Sequence, residues 1–397
     1  MSADTPPIRN YHDSMQYRRF GKTEREISVI TLGGMRYLHG WEQPRDEVPT
    51  DMLEQAVNVT RLALDAGVNH IETAYGYGKS EHCYGKVLNE ELQIPRDSYH
   101  LMTKGGAQTA DDIKRMVDEQ LAALQTDHID LYGWHGINTA EIQQSACASG
   151  GPVEELLKLK EQGVIGSVGF STHGPVDVIC RAVETGLFDF VNLHYYYFFQ
   201  RNWPAVALAA ARDMGVFIIS PNDKGGQLFN PSAKLSALTA PWTPIQWNAR
   251  FCLNRPEIHT LSFGMSEPEH VTEMQGVTPV SVPMTHDEQA VQQQLDAQVL
   301  CDPISAYEGH ELMPDPSGIN IPEVLRFRRM WKCYDMHDFG VYRYNMLQEK
   351  GHWFPGVFAT PEAVAKVDTS RVPAGIHLKA LLSETHQAFF KPKESKE

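Results

Sequence analysis

Residues 100–106, HLMTKGG, and residues 129–136, IDLYGWHG, each run from apolar residues into charged residues and glycine. A third stretch, residues 69–78, NHIETAYGYG, has the same form. Short β-rich apolar runs of this kind predict strands that are buried on both faces, as in parallel sheets. The polar residues that follow each run then mark the carboxyl ends of neighbouring strands.

Eight such runs occur along the chain, separated by amphipathic stretches with helical spacing. This alternation predicts repeated βα units, and eight strands favour a closed (β/α)8 TIM barrel over a doubly wound sheet, which more often has fewer strands. The predicted strands are Val29–Leu32, Asn69–Glu72, His100–Thr103, Ile129–Trp134, Ser167–Phe170, Phe190–Leu193, Val216–Ile219 and His259–Phe263.

The segments outside the strands suggest how the chain is divided. Residues 15–30, MQYRRFGKTEREISVI, predict a hairpin that turns at Gly21-Lys22 and closes the lower mouth of the barrel. Residues 276–284 contain a glycine and two prolines and predict a linker, and no strand alternation follows. We therefore predict four parts: a flexible N-terminus at 1–14, the barrel at 15–275, the linker, and an additional mainly helical C-terminal domain at 285–397.

The composition excludes several classes of function. A formal net charge of −15 disfavours binding to nucleic acid or to an anionic membrane, because both need positive potential. The six cysteines lack the dense spacing of a disulfide scaffold, and the N-terminal stretch lacks an apolar signal core. No apolar run reaches the roughly 18 residues that a membrane span needs. We expect a cytoplasmic protein with reduced thiols and, since no metal-ligand spacing is seen, without a metal site.

Four titratable residues follow consecutive predicted strands. Glu72 ends the second strand and Tyr77 comes shortly after it, while Lys104 ends the third strand and His135 the fourth. This set suits reduction of a carbonyl, because hydride addition leaves negative charge on oxygen, which a phenol can stabilise and protonate. A close ammonium should lower the pKa of Tyr77 from about 10. Glu72 should hold the ammonium of Lys104 by an ion pair, and His135 can orient the carbonyl.

The motifs ETAYGYG at residues 72–78, TKGG at 103–106 and DLYGWHG at 130–136 resemble the aldo-keto reductase family, and the resemblance covers about residues 15–275. Members of that family carry an Asp/Tyr/Lys/His tetrad in the barrel. The resemblance implies that Tyr77 is the proton donor and that Lys104 and His135 assist it. Glu72 stands where the family usually has Asp, which adds one methylene to a buried ion pair and predicts a different placement of the lysine.

The resemblance also implies a nicotinamide cofactor at the later strand ends. Ser171 and Thr172 end the fifth strand, where members commonly hold the nicotinamide carboxamide with a Ser-Asn pair. Asn192 ends the sixth strand, where an amide has the same role. Ser220 and Pro221 end the seventh, where many members have a tyrosine that stacks on the nicotinamide. An aliphatic wall there predicts binding at lower affinity.

Two further segments are candidates for the phosphates of the cofactor. Lys224-Gly225-Gly226 offers an ammonium and backbone N–H groups that suit a pyrophosphate. The last barrel loop supplies Gly264, Ser266 and His270 where NADP-specific members usually have Lys or Arg against the 2′-phosphate. The family implies NADP(H) as the favoured cofactor, and the low positive charge of this loop leaves NAD(H) open.

The C-terminal region resembles the ferredoxin-like extension of some family members, with its cysteines lost. Residues 314–329, PDPSGINIPEVLRFRR, and 372–386, VPAGIHLKALLSETH, each place Pro-x-Gly before a helix start, although two unrelated helix starts explain this about as well. An iron–sulfur cluster needs about four closely spaced thiolates. We therefore predict a helical domain without a cluster, packed on the barrel, because the ligand positions hold Ala306, Gly309, Leu312 and Asp315.

Three functions remain open from the sequence. The first is NAD(P)H-dependent reduction of a small aldehyde or ketone, with Tyr77 as proton donor. The second is a regulatory or redox-sensing protein that binds NAD(P)H with weak or no turnover and docks to a protein partner through its C-terminal domain. The third is a structural barrel that binds no nucleotide. The substrate itself cannot be read from the sequence, because specificity lies in loops whose shapes the sequence does not give.

Overall fold

The computed structural model describes residues 7–37, 44–300, 302, 304, 314–347 and 354–392. Eight parallel strands form a closed barrel with surrounding helices, which confirms the predicted TIM barrel. A separate two-stranded hairpin precedes it. The strands in chain order are β1 (Tyr17–Arg19), β2 (Glu26–Ser28), β3 (Ile30–Gly33), β4 (His70–Glu72), β5 (His100–Gly105), β6 (Ile129–His135), β7 (Ile165–Ser171), β8 (Phe190–Leu193), β9 (Gly215–Ile219) and β10 (Thr260–Phe263).

The barrel closes between its first and last strands, because β10 pairs in parallel with both β3 and β9. The register places three residues of neighbouring strands at one level: His135 of β6 pairs with Ser171 of β7, and Ser171 pairs with Asn192 of β8. Polar side chains that are far apart in sequence therefore meet at the carboxyl end of the barrel, where TIM-barrel enzymes carry their reacting groups.

The predicted hairpin is present and closes the amino end of the barrel. Phe20 and Ile27 are fully buried in a hydrophobic cluster with four residues of the barrel strands, Met102, Leu131, Phe190 and Phe217. The hairpin turns at Gly21-Lys22 as predicted, within a loop of residues 20–25 that contains a 3-10 turn at Gly21–Thr23. The loop inserts its phenylalanine into the barrel, and Gly21 has a left-handed φ of +53° beside the backbone of Asp213.

Helices follow most of the barrel strands, and further helices form the C-terminal region. α1 packs against α10, so the first and last barrel helices are neighbours like the strands they follow. The helices are α1 (Thr50–Asp65), α2 (Ser80–Gly85), α3 (Ala110–Leu124), α4 (Ala140–Ala146), α5 (Pro152–Glu161), α6 (Val176–Glu184), α7 (Trp203–Ala211), α8 (Ala233–Thr239), α9 (Pro244–Leu253), α10 (Pro268–Gln275), α11 (His286–Val299), α12 (Ile321–Tyr334), α13 (His337–Tyr344), α14 (Pro361–Ala365) and α15 (Leu378–Phe389).

The described residues fall into two compact units. The first comprises Met1–Asn222 and Asn248–Pro283, and the second comprises Asp223–Trp247 and Met284–Glu397. Almost all of the predicted linker at 276–284 therefore belongs to the barrel unit. Residues 223–247, which follow β9 and include α8, group with the C-terminal helices, a grouping that the sequence did not predict.

The N-terminal segment, residues 1–14, is described from residue 7 onward and makes specific contacts with the barrel. Arg9 Nη1 pairs with Asp130 Oδ1 at 2.9 Å. Asn10 Nδ2 donates to the carbonyl oxygen of Leu64 at 2.8 Å. These contacts anchor residues 7–14 at the amino end of the barrel.

The helical C-terminal region that the sequence predicted is present. Its two similar segments form similar turns, because Gly318 before α12 and Gly375 before α15 both have left-handed φ values, +73° and +88°. Asp315 stands at one of the four positions where related extensions would have a cluster-binding cysteine. Its carboxylate accepts hydrogen bonds from the backbone N–H groups of Ser317 and Asp368. The other three predicted positions, Ala306, Gly309 and Leu312, lie outside the described residues.

The described part of the chain contains neither a cluster of metal ligands nor a helix suited to a membrane. No group of three or more His, Cys, Asp or Glu side chains among these residues is placed to hold a metal ion. None of the helices in the same ranges combines the length and the apolar character that crossing a membrane requires.

Candidate active site

The centre of the candidate site is a buried ion pair. Glu72 is the last residue of β4, and Lys104 is the penultimate residue of the neighbouring strand β5. The ammonium of Lys104 contacts Glu72 Oε1, and the two side chains are only 1% and 3% exposed. Ser262 of β10 donates to the second carboxylate oxygen at 3.0 Å. The carboxylate is therefore held from both sides, which fixes the direction in which the lysine extends.

Tyr77 and His135 join this pair at the same end of the barrel. Lys104 Nζ lies 4.8 Å from the centroid of the Tyr77 ring. The rings of Tyr77 and His135 meet edge to face, with centroids 5.9 Å apart. The structure thus brings together all four residues of the predicted tetrad. No residue described in the structure accepts a hydrogen bond from the Tyr77 hydroxyl, which leaves that proton available to a substrate oxygen.

The acidity of Tyr77 differs from the prediction. Burial raises the pKa of Tyr77 above its ordinary value, whereas the sequence predicted that Lys104 would lower it. The prediction was wrong in direction because the cost of placing a phenolate away from water exceeds the effect of the ammonium, whose charge is already compensated by Glu72. A raised pKa keeps Tyr77 protonated at neutral pH, which is the state that a proton donor needs.

Two strand glycines make room for the ion pair. A Cβ added to Gly133 of β6 would lie 3.1 Å from Lys104 Cγ. A Cβ added to Gly33 of β3 would lie 2.7 Å from Ser262 Oγ and 3.3 Å from Glu72 Oε2. Glycine inside a strand is a signal of close approach by another group. For Gly133 this signal was present in the motif DLYGWHG at residues 130–136 and could have identified the position.

A second buried polar cluster, which the sequence did not predict, supports the backbone of Lys104. Glu81 Oε1 accepts from Thr103 Oγ1 at 2.5 Å and from Gln120 Nε2 at 2.6 Å. Arg45 pairs with the other oxygen of Glu81 at 2.6 Å. Gln120 also donates to the carbonyl oxygen of Lys104 at 3.2 Å. Because every member is paired, the cluster fixes the strand end that carries the lysine.

Asn192 and Ser171, which the resemblance implied for a nicotinamide carboxamide, lie side by side on neighbouring strands. Asn192 is completely buried. Its Oδ1 has no hydrogen-bond partner among the described residues. A buried acceptor without a partner is costly, and an amide N–H of a ligand would satisfy it. Ser171 is the register partner of Asn192 and is also buried. The residues present therefore fit the carboxamide of a nicotinamide.

The hydroxyl of Thr172 is engaged by the loop that follows β7. It donates to the carbonyl oxygen of Ile137 at 2.6 Å and accepts from the N–H of Gly174 at 2.8 Å. A threonine hydroxyl has one proton to donate. In this arrangement the proton of the hydroxyl is used within the loop, so a carboxamide would have to donate to Thr172 rather than accept from it.

Ser220 and Pro221 follow β9 in a constrained loop. Ser220 has a left-handed φ of +52°, which is uncommon for a residue with a side chain. Such backbone costs about 1–3 kcal/mol and concentrates at functional sites. The carbonyl oxygen of Pro221 accepts a hydrogen bond from Asn248 Nδ2 at 2.5 Å. The loop is therefore fixed at the place where the resemblance implied the nicotinamide wall.

Lys224 and Gly225, predicted for the pyrophosphate, lie in the second unit. Gly225 and Gly226 both have left-handed φ values, +72° and +68°. Burial, assisted by the charge of Arg343, lowers the pKa of Lys224 to about 7. Two of the expected backbone donors are used within the loop, since the N–H of Lys224 donates to Asp223 Oδ1 and that of Gly226 to the Asp223 carbonyl.

The last barrel loop has a cation beside it that the sequence did not predict. His270 Nδ1 accepts from the backbone N–H of Ser266 at 3.2 Å, so its ring caps the start of α10. Arg36, which follows β3, packs against Gly264, where an added Cβ would lie 2.7 Å from Arg36 Cγ. Arg36 is exposed, and no described residue makes a hydrogen bond or ion pair with it. No local sequence pattern indicates this contact, because it depends on barrel closure.

A cleft of about 600 Å³ lies beside the same loop. Ser266 lines it together with residues of α1, and its wall carries the carboxylates of Asp51, Glu54 and Glu267. Negative charge at this place opposes a 2′-phosphate, whereas Arg36 attracts one. The two features act in opposite directions on the choice between NADP(H) and NAD(H).

A parallel eight-stranded barrel with a Tyr/Lys/His/carboxylate set at its strand ends defines a class of barrel oxidoreductase. Comparison with known proteins agrees with this assignment. Residues 29–229 match the profile of the Aldo/keto reductase family, which is half of the chain. The protein belongs to the aldo/keto reductase family.

Individual relatives are distant. L-galactose dehydrogenase of Arabidopsis thaliana is 27% identical over 218 residues, which cover 52% of this chain and 64% of that protein. D-arabinose 1-dehydrogenase of Saccharomyces cerevisiae is 28% identical over 166 residues, covering 40% and 46%. The matches thus span less than two thirds of each relative. An aldo-keto reductase structure from Bacillus halodurans has a TM-score of 0.58 at 22% identity and covers 70% of this chain and 96% of that one. At this level of identity, the similarity to the solved structure supports the barrel fold of this chain.

Proposed function

We propose that the protein reduces an aldehyde or ketone to an alcohol, with hydride from NAD(P)H and a proton from Tyr77. The observation that carries the proposal is the meeting of Tyr77, Lys104 and His135 at one end of the barrel. Membership of the aldo/keto reductase family supports oxidoreductase chemistry with a nicotinamide cofactor in general. The bound cofactor supplies the hydride, and the side chains of this chain supply the rest.

Each residue of the tetrad has one role in this proposal. The Tyr77 hydroxyl donates a hydrogen bond to the substrate carbonyl oxygen and then its proton as negative charge develops there. His135, whose ring lies against that of Tyr77, orients the same oxygen by a second hydrogen bond. Lys104 stabilises the phenolate that remains, and Glu72 holds the lysine in place. Without the nearby ammonium of Lys104, a phenolate in this buried site would be unfavourable.

Asn192 and Ser171 are the residues that we assign to the nicotinamide carboxamide. The family favours NADP(H), and Arg36 supports that preference, while the carboxylates of the neighbouring cleft favour NAD(H). Titration with both cofactors therefore decides the preference. We also propose, from the sequence, a cytoplasmic location and docking of a protein partner through the C-terminal region.

The test is direct. Purified protein is titrated with NADPH and with NADH by fluorescence, and turnover is measured with a panel of aldehydes and ketones. Two relatives are named as dehydrogenases of L-galactose and D-arabinose, so sugar aldehydes come first in the panel. We expect saturable binding of at least one cofactor and turnover of at least one carbonyl. Cofactor binding without any turnover would instead favour the regulatory function, and no binding would favour the structural one.

The pH dependence of the reaction follows from the raised pKa of Tyr77. A phenol whose pKa is raised stays protonated through the neutral range. It loses its proton, and so its ability to act as a donor, only when the pH approaches that pKa. We expect kcat/KM for reduction to vary little between about pH 7 and pH 9 and to fall at higher pH. Oxidation of the alcohol needs the phenolate as base, so its rate should rise with pH. If the reduction rate already declined as the pH was raised towards 7, the assignment of Tyr77 as the donor would be contradicted.

A further inference from the structure

The loop of residues 73–79 joins β4 to α2 and carries Tyr77. A side chain from another segment of the barrel unit, Arg45 in the stretch before α1, contacts this loop at two points. We propose that Arg45 is a positioning residue that holds the Tyr77 hydroxyl in place for proton transfer. The proposal rests on the proposed function, because it concerns the same proton donor, and it assigns a role to a residue outside the tetrad.

The guanidinium of Arg45 contacts the loop on both sides of Tyr77. Its Cζ lies 3.6 Å from the centroid of the Tyr75 ring, a contact that uses the ring face of Tyr75 and not its hydroxyl. Its Nε donates to the carbonyl oxygen of Gly78 at 3.4 Å. Gly78 has a left-handed φ of +55°, so the backbone turns directly after Tyr77. One planar group therefore holds the loop before and after the proton donor.

The remaining contact of Arg45 joins this loop to the strand end that carries Lys104. Arg45 Nη2 pairs with Glu81 Oε2 at 2.6 Å, and the carboxylate is fully buried. The other oxygen of Glu81 accepts from Thr103 and Gln120, and Gln120 also donates to the carbonyl oxygen of Lys104. A guanidinium makes such contacts together because its donors form a rigid fork. Arg45 therefore connects the loop of the proton donor to the strand of the ammonium.

The segment before α1 is itself attached to the loop. The ammonium of Lys79, which is only 1% exposed, donates to the carbonyl oxygen of Pro44. The loop has a backbone anchor of its own at Tyr75, whose N–H donates to the carbonyl oxygen of Lys104 at 2.8 Å. Because a misplacement of about 1 Å can cost about 10²-fold in rate, an anchor on the far side of the proton donor has a large effect on the placement of its hydroxyl.

The experiment replaces Arg45 by methionine and compares it with the same change at Arg96. Arg96 also pairs with a buried carboxylate, that of Asp130 at 2.7 Å, and its Cζ lies 5.1 Å from the centroid of the Tyr99 ring. These contacts are near the start of β6, at the amino end of the barrel. We expect Arg45→Met to lower kcat for carbonyl reduction by about 10- to 100-fold and to change cofactor Kd by less than about twofold. Arg96→Met should change kcat by less than about twofold, even where it lowers the unfolding midpoint.

Two further measurements separate positioning from a general structural effect. In the Tyr77→Phe background no hydroxyl remains to be placed, so adding Arg45→Met should lower kcat there by less than about twofold. Arg45→Lys keeps a charge opposite Glu81 but lacks the fork, so it should keep stability and recover part of kcat. In cofactor-free protein, amide hydrogen exchange of residues 73–79 should be faster in Arg45→Met than in wild type and unchanged in Arg96→Met.

Three results would overturn the proposal. The first is a kcat of Arg45→Met within about twofold of wild type. The second is an equal loss of kcat in the wild-type and Tyr77→Phe backgrounds, which would show that Arg45 supports the fold and not the hydroxyl. The third is unchanged hydrogen exchange of the loop. Failure of the proposed function is distinguishable, because wild-type protein would then bind neither cofactor or turn over no carbonyl, or Tyr77→Phe would lose no activity.

Discussion

Replacing Tyr77 by phenylalanine is expected to lower kcat/KM for carbonyl reduction by about 10²- to 10⁴-fold, the range that a positioned proton donor contributes. The substitution removes one oxygen atom and leaves the ring, which contacts Lys104 and His135 by its face and edge. The ion pair of Lys104 with Glu72 therefore keeps its surroundings. Cofactor affinity, measured by fluorescence titration, should change by less than about twofold, because the carboxamide residues are elsewhere.

Tyr75 provides the matched control for this experiment. It lies in the same loop, and its hydroxyl donates to Glu119 of α3 at 3.0 Å, outside the tetrad. Tyr75→Phe removes the same atom from the same motif and should retain near wild-type turnover. If both variants reduced carbonyls at the wild-type rate, Tyr77 would not be the donor. If both lost activity together, the loop as a whole would be responsible, and the individual assignment would fail.

The fold and the tetrad could be predicted because both depend on local patterns. A strand that is buried on both faces has an almost continuous apolar sequence, so the eight barrel strands are visible without any long-range information. Residues that end consecutive parallel strands must meet at one end of the barrel, so the order of the strands alone places Glu72, Lys104 and His135 together. The same logic placed Ser171 beside Asn192.

What could not be predicted depends on contacts between distant parts of the chain. Arg36 reaches Gly264 only because β3 and β10 close the barrel. The hydroxyl of Thr172 is bound by the carbonyl of Ile137, and no sequence pattern shows which backbone oxygen will be near. The raised pKa of Tyr77 results from burial by the assembled site. Desolvation and loop contacts are properties of the folded molecule. Residue types alone therefore do not determine whether a pKa is raised or lowered, or which partner a hydroxyl binds.

Replacing Lys104 by methionine is expected to lower the free energy of unfolding by about 3–5 kcal/mol at neutral pH, the cost of breaking a buried ion pair by removing one partner. Methionine is close to lysine in length, so the change leaves the carboxylate of Glu72 at 3% exposure with its main counter-charge removed. The hydrogen bond from Ser262 alone does not compensate a buried charge. Denaturant unfolding of wild type and variant, followed by circular dichroism, measures the difference.

The double variant Glu72→Gln, Lys104→Met separates the two roles of the pair. Neutralising both partners removes the buried charge, so most of the lost stability should return, since neutral replacements of a buried pair are often tolerated. Carbonyl reduction should not return, because no ammonium remains to stabilise the phenolate of Tyr77. The single variant should also regain stability as the pH falls, since the isolated carboxylate of Glu72 has a raised pKa and becomes neutral by taking up a proton. A stable and fully active double variant would show that the pair serves the fold alone and that Tyr77 donates its proton without help from Lys104.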